Sequence, residues 1–358
     1  MNTRLSNWRS WSGQRVRKKH DPILGFGFAC LCAMKKMILL GALVGVAGFI
    51  SWFVMRGPKT AAASSIQVER SEARVARGKY IYEQLADCEG CHSERDYKKF
   101  GGPVLAGMSG SGSVFPKELG LPGMIAPPNI SQDRERGLGD WTDGEIIRAV
   151  REGVSRDGRA LFPMMPYQSY SKMSDEDVEA LVAYLRTMPA LKHDVPKTKV
   201  DFPVNLLMKS APQPVVGKVA PPNREDRIAY GKYLVGMAGC EICHTKMEKG
   251  APIEGMNFAG GEVFRVPGME VHSANISSDV ETGIGAWTEE RFLDKFRGYR
   301  NFTDENLPVA VQANFTVMPW LGLRKLPDDD LRAIFAYLKT VKPVRNKVEV
   351  HPPVVSKL

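Results

Sequence analysis

Two segments, near residues 180 and 335, carry the clearest pattern of apolar and polar positions in the chain. Val178, Leu181, Val182 and Leu185 recur at intervals of three and four, and Leu331, Ile334, Phe335 and Leu338 repeat the stripe. That spacing puts four apolar side chains on one face of a helix. Each stripe follows a start at Ser174 or Pro327 and a run of acids, which suits a helix N-terminus. Trp141-Thr142 and Trp287-Thr288 predict two more helix entries with threonine as N-cap. Each tryptophan is placed to staple onto the residue at N4, Ile146 or Phe292, and Thr142 with Glu145 completes a capping box. No segment alternates convincingly with the period of a half-buried strand. The pattern predicts an all-α protein whose helices are joined by long irregular connections.

These segments belong to an internal duplication. "GKYIYEQLADCEGCH" parallels "GKYLVGMAGCEICH", "PNISQDRERGLGDWTDGEI" parallels "ANISSDVETGIGAWTEERF", and "MPYQSYSKMSDEDVEALVAYLRTM" parallels "MPWLGLRKLPDDDLRAIFAYLKTV". Copy one has six extra residues between its cysteines and its tryptophan, where "MSGSGS" lies. Copy two has seven extra between tryptophan and methionine, around "NFTDENLPVAVQ". Such differences are what loops tolerate. The expected organisation is a basic cytoplasmic N-terminus (1–36), a membrane segment (37–55), domain one (66–190), a Pro/Lys/Val-rich linker (191–222), domain two (223–345) and a tail (346–358).

Charge and hydropathy change this picture only at the N-terminus. The formal net charge is +9, but residues 1–60 hold ten Lys and Arg against one acid, Asp21. The remainder is balanced, which removes a nucleic-acid reading. Residues 37–55, "MILLGALVGVAGFISWFVM", carry no charge; at helical rise they approach the roughly 30 Å of a bilayer interior. Eight of the ten basic residues precede this run, which predicts a cytoplasmic N-terminus and an exported body. A signal peptide cleaved after Ala63 is the competing reading, disfavoured by the length of the run. Met34-Lys35-Lys36-Met37 itself resembles a translation start.

Beyond residue 60 the only cysteines are Cys88, Cys91, Cys240 and Cys243, and each pair runs directly into a histidine, His92 or His244. Cys30 and Cys32 are given no function. A structural zinc needs four ligands together, whereas the duplication puts one pair in each copy. A redox dithiol explains neither the histidine nor the missing strand–helix alternation. Covalent haem uses every residue: two thiols for the vinyl groups, and the adjacent histidine for the iron. A connection of about 45 residues without regular structure is unusual in a compact domain, unless it wraps something large, as a haem is. The open axial position calls for a thioether from the opposite face. Met165 and Met318 occupy the same point of the repeat, each followed by Pro and an aromatic residue; Met164 competes with Met165. His272 has no counterpart in copy one, and His20, His193 in the linker and His351 are likewise expected to be bystanders. The tryptophans, Tyr184/Tyr337 and Asn129/Asn275 fit either a haem crevice or ordinary packing and loop bonding.

Both halves resemble the class I c-type cytochromes. More closely, "GLGDWTDGEI…AVREGV…LFPMMPYQSYSKMSDEDVEALVAYL" is similar to the cytochrome c subunits of membrane-bound alcohol, aldehyde and gluconate dehydrogenases. The resemblance implies two tandem cytochrome c domains behind an N-terminal membrane helix. It implies two haem c groups on Cys88/Cys91 and Cys240/Cys243, with His92/Met165 and His244/Met318 as axial ligands. It also implies an electron relay from a dehydrogenase to a quinone enzyme or terminal oxidase; with the exported topology this is expected at the periplasmic face of a bacterial inner membrane, and with six ligands on each iron no catalysis of its own is expected. Copy two departs from the family where "NFTDENLPVAVQANFTVMPW" replaces a short Gly-containing approach to the methionine. The alternative is a dihaem enzyme, a peroxidase or sulfur-compound oxidase, with one labile axial position.

Overall fold

The computed structural model describes residues 37–48, 51 and 55–353. Residues 37–48 are helical with exposed side chains. No helix among the described residues is long and apolar enough to cross a membrane. Residues 49–50 and 52–54 of the proposed span, like the basic segment 1–36, Cys30 and Cys32, lie outside the described residues.

Residues from Gly57 onward form one compact unit. Copy one contributes α1 (Glu72–Tyr80), which continues into a π-helical turn at Ile81–Leu85, then α2 (Cys88–Cys91), α3 (Asp143–Glu152), α4 (Tyr167–Tyr170) and α5 (Asp175–Leu185). Copy two repeats the order with α6 (Arg227–Met237), α7 (Cys240–His244), α8 (Glu289–Arg297), α9 (Trp320–Leu323) and α10 (Asp328–Leu338). The caps are those the sequence predicts. Thr142 accepts from the Glu145 amide and Glu145 returns the bond, while Thr288 accepts from the Arg291 amide. The two stripes are buried throughout, and both join one shared core with Leu85, Leu234 and Leu293.

The first and last helices of each copy cross at a glycine. A Cβ on Gly78 would lie 1.9 Å from the Ala180 carbonyl oxygen, and one on Gly231 would lie 1.8 Å from that of Ala333. Only a residue without a side chain allows backbones this close. The copies then engage each other reciprocally. Tyr80 of α1 donates to Asp330 of α10, and its counterpart Tyr233 of α6 donates to Asp177 of α5 at 2.6 Å. Helix α4 packs on α6, and α9 packs on the π turn.

The expectation of no strands needs one correction. Val263–Val266 and Met269–His272 form an antiparallel hairpin across Pro267-Gly268, with Gly268 at φ 77°. A Pro-Gly pair between two four-residue alternating runs is the signal for it. Other strands, such as Gly123–Met124 with Lys199–Val200, are two residues long. That pairing, with Asp175 N–H donating to the Val219 carbonyl, lays the 191–222 segment along copy one.

Candidate functional site: twin Cys-x-x-Cys-His turns

In each copy the first helix ends at a residue in the left-handed conformation, Asp87 (φ 46°) or Gly239 (φ 66°). This break turns the chain so that the next residues start a new short helix bearing the cysteines. Cys88 and Cys240 are half-buried, Cys91 and Cys243 exposed, and none forms a disulfide.

The histidine closing each turn is held in the same way twice. His92 Nδ1 lies 2.8 Å from the Pro128 carbonyl oxygen, and His244 Nδ1 lies 2.7 Å from that of Ala274. A carbonyl accepts only, so Nδ1 carries the proton and Nε2 is left with a free lone pair. Desolvation lowers the pKa of both rings, keeping them neutral and able to act as donors to a metal. The backbone repeats as well. Gly112 N–H donates to the His92 carbonyl at 2.8 Å, and Gly260 N–H to the His244 carbonyl at 2.7 Å.

The thiols are not activated. Desolvation raises the half-buried Cys88 thiol and pushes Cys240 up to about 12. A dithiol redox centre or thiolate zinc site is built the other way, with the thiol pKa lowered. Among the described residues no three His, Cys, Asp or Glu are placed to hold a metal ion. The Cys243 thiol is, however, close enough to a Cys88/Cys91 turn to add to the Cys91 shift.

The methionines also sit in matching environments. Met165 and Met318 each precede a proline near φ −80°, with the amide two residues on, Tyr167 or Trp320, donating back to the methionine carbonyl at 2.8 and 2.7 Å. Both are partly buried against the shared core, whereas Met164 is 38% exposed. The long approach to Met318 thus ends in the same turn as the short approach to Met165. The donor set in each copy — two thiols, an imidazole with a free Nε2, a thioether on a fixed loop — fits a porphyrin iron bound through sulfur.

Sequence reasoning left several neighbours open, and their partners are now visible. Asn129 Oδ1 accepts from the Ser131 amide, and its Nδ2 donates to the Leu191 and His193 carbonyls; Asn275 does the same with Ser277, Val344 and Asn346. Both asparagines bond loops and lash the chain that leaves each copy. Tyr184 donates to Glu83 at 2.9 Å, and Tyr337 meets Phe258 edge-on. His193, His272 and His351 bond Ser111, Glu270 and Phe315 respectively. The six extra residues of copy one are not confined to "MSGSGS". Matching hydrogen bonds pair Gly110 with Phe258 and Asn129 with Asn275, so the offset drops in two steps from 152 at His92 to 148 and then 146.

Comparison with known proteins follows this geometry. Residues 75–189 match the profile of the family described as Cytochrome c. The chain is 31% identical to the gluconate 2-dehydrogenase cytochrome c subunit of Pantoea cypripedii over 292 residues, 76% of this chain and 60% of that one. It is 30% identical to the cytochrome c subunit of the quinone alcohol dehydrogenase of Gluconacetobacter polyoxogenes, over 77% of this chain and 58% of the other. A dihaem c-type cytochrome of Cereibacter sphaeroides is 28% identical, and 85% of its length is covered. The chain spans about three fifths of the first two relatives. Residues 75–189 thus carry the cytochrome c profile, and the chain is similar over about three quarters of its length to the cytochrome c subunits of two dehydrogenases.

Proposed function

We propose that this chain is a dihaem c-type cytochrome that relays electrons for a membrane-bound dehydrogenase, passing them to a quinone enzyme or terminal oxidase. In this reading residues 66–190 and 223–345 are the two haem domains. Cys88/Cys91 and Cys240/Cys243 attach the haems; His92 with Met165 and His244 with Met318 hold the two irons. Residues 37–55 anchor the chain in a bacterial inner membrane with the haem domains in the periplasm. The observation that carries the reading is the repeated histidine geometry, Nδ1 on a backbone carbonyl and Nε2 open, directly after a pair of cysteines.

When bound, each haem supplies a one-electron couple; the protein's part is ligation, burial and placement. The carbonyl bond to Nδ1 fixes the ring and raises its basicity as a ligand. The Met-Pro turns present a thioether from a loop braced on the core. Were His92 with Met165 and His244 with Met318 to hold the two irons, no site would remain for substrate, which favours a carrier over a peroxidase or oxidase. The likeness of the Met165 and Met318 turns counts against a labile position in copy two.

Intact-mass measurement of the purified chain tests the reading: two haem masses are expected, and Cys88→Ser or Cys240→Ser each lowers the count. The ferrous protein is expected to resist carbon monoxide. A mass without haem, from cells that mature c-type cytochromes, ends the proposal; rapid carbon monoxide binding moves it to the enzyme reading.

A further inference from the structure

The departure of copy two from its repeat, the "NFTDENLPVAVQ" stretch before Met318, has a contact partner in copy one. Lys99 and Val309 form an antiparallel bridge. Phe100 N–H donates to the Pro308 carbonyl at 2.8 Å, and Ala310 N–H donates to the Lys98 carbonyl at 2.8 Å. The Lys99 ammonium reaches the Asp304 carbonyl at 3.0 Å. Phe100, buried to 7% exposure, stacks on Tyr299 at 5.6 Å between centroids and meets Phe302 edge-on.

Both ends of this contact lead to a proposed haem site. On the copy-one side, the Arg95 guanidinium donates to the Gly101 and Gly102 carbonyls and, at 2.8 Å, to the carbonyl of Gly90, which lies between Cys88 and Cys91. On the copy-two side, Tyr299 stacks on Trp320 at 4.7 Å, two residues past Met318. Arg324, at the end of α9, donates to the Tyr299 and Phe302 carbonyls. Packed rings and hydrogen bonds thus run without a gap from the first cysteine turn to the second methionine loop. The matching loop of copy two, residues 246–256, is mostly exposed and has no such cover among the described residues.

We propose that residues 299–310 are a strap whose grip on Phe100 fixes the first haem turn relative to the second half, so that these residues position the two haems for transfer within the chain. This rests on the dihaem carrier reading. The strap ligates neither iron and attaches neither haem; it acts through Arg95 on one side and Trp320 on the other.

The test uses the full chain with both haems. After rapid photoreduction, the redistribution of the electron between the two haems is followed in the wild type and in Phe100→Ala, Phe100→Leu and Phe100→Tyr. The expected result is two haems and carbon monoxide resistance in all four. The redistribution rate falls measurably in Phe100→Ala, as electron transfer does when the distance between its partners grows, falls less in Phe100→Leu, and recovers in Phe100→Tyr. A wild-type rate in Phe100→Ala overturns the strap; if that variant does not accumulate, a wild-type rate in Phe100→Leu does so. A wild type with fewer than two haems instead overturns the reading beneath it, and is seen before any variant is made.

Discussion

The two copies share the hydrogen bonds that hold the histidine and the turn that carries the methionine, and differ in much of what surrounds the cysteines. In copy one the left-handed residue before the turn is Asp87 and the third residue of the short helix is Gly90; in copy two they are Gly239 and Ile242. These differences are coupled. A Cβ on Gly90 would lie 2.0 Å from Asp87 Oδ2, whereas one on Gly239 meets nothing nearer than 3.7 Å. One carboxylate and one side chain cannot occupy the same space, and each copy has settled the conflict in the opposite sense. A second exchange lies at the interface, where Asp177 is gripped by Arg77 at 2.7 and 2.8 Å while Asp330 is bonded by Tyr230, the residue matching Arg77, at 3.0 Å. A duplicated frame can therefore hold one chemistry fixed while its supporting contacts drift in compensating pairs.

The frame itself is where the comparison is hardest to break. Gly78→Val and Gly231→Val each push a side chain into a carbonyl at the crossing of the first and last helices, and overpacking at such a contact should cost about 4 kcal/mol. Urea unfolding followed by helix signal checks this. Equal losses would show that both crossings carry the shared core; a much smaller loss in one copy would mean that its helix pair can part without it. Next come the asparagine lashes. Asn129→Ala or Asn275→Ala strands a backbone amide and two carbonyls, for roughly 2–3 kcal/mol, with earlier proteolysis near residue 191 or 344 respectively.

The Asp87/Gly90 pair offers a titration that copy two lacks. Burial, opposed by Arg95, raises the Asp87 carboxyl from 3.8 to about 7. A carboxyl whose folded pKa lies above its unfolded one stabilises the fold while protonated. Its contribution is full below pH about 4 and is lost as pH rises through about 7. Asp87→Asn should flatten this decline, raising stability at pH 8 by roughly 2 kcal/mol after allowance for the solvent that reaches the group. Melting curves between pH 4 and 8 are the measurement. Gly90→Ile in the Asp87→Gly background should be tolerated, and Gly90→Ile alone should not; equal stability of the two would refute the coupling.

The frame and the repeated cysteine–histidine turns were legible because their signals are local. Apolar stripes, threonine caps and paired cysteines ahead of a histidine need no knowledge of distant residues, and duplication put each signal on the page twice. The matching environments of Met165 and Met318 were legible for the same reason, and Met165 lies against the core where Met164 does not. What the sequence did not disclose is what each loop lies against. The extra residues before Met318 read as tolerated slack, but Pro308 and Val309 are backbone partners of a loop some 210 positions earlier. The roles of Asn129 and Asn275 also stayed open, because their carbonyl acceptors lie more than 60 residues away. The hairpin at Pro267-Gly268 was a local signal and could have been found; four-residue strands are simply short.

The smallest expected difference between the copies lies at their best-predicted feature, the helix caps. Thr142 and Thr288 each accept from the amide three residues on, at 3.2 Å in both cases. Replacing either by alanine should cost about 1 kcal/mol. Only in copy one does a carboxylate reach back, Glu145 accepting from the Thr142 amide at 2.8 Å; in copy two the same position is Arg291, whose guanidinium instead lies 4.5 Å from the Trp287 ring centroid. Glu145→Ala should therefore cost about 0.5 kcal/mol through the lost box and the lost negative charge near the helix N-terminus. Arg291→Glu would gain a similar bond while giving up a cation–π contact of about 0.5–1 kcal/mol, leaving little net change. A clear gain from Arg291→Glu would show that the ring contact contributes nothing. A clear loss would show that copy two replaced one local device with another of greater worth, the same kind of exchange seen at the cysteine turn.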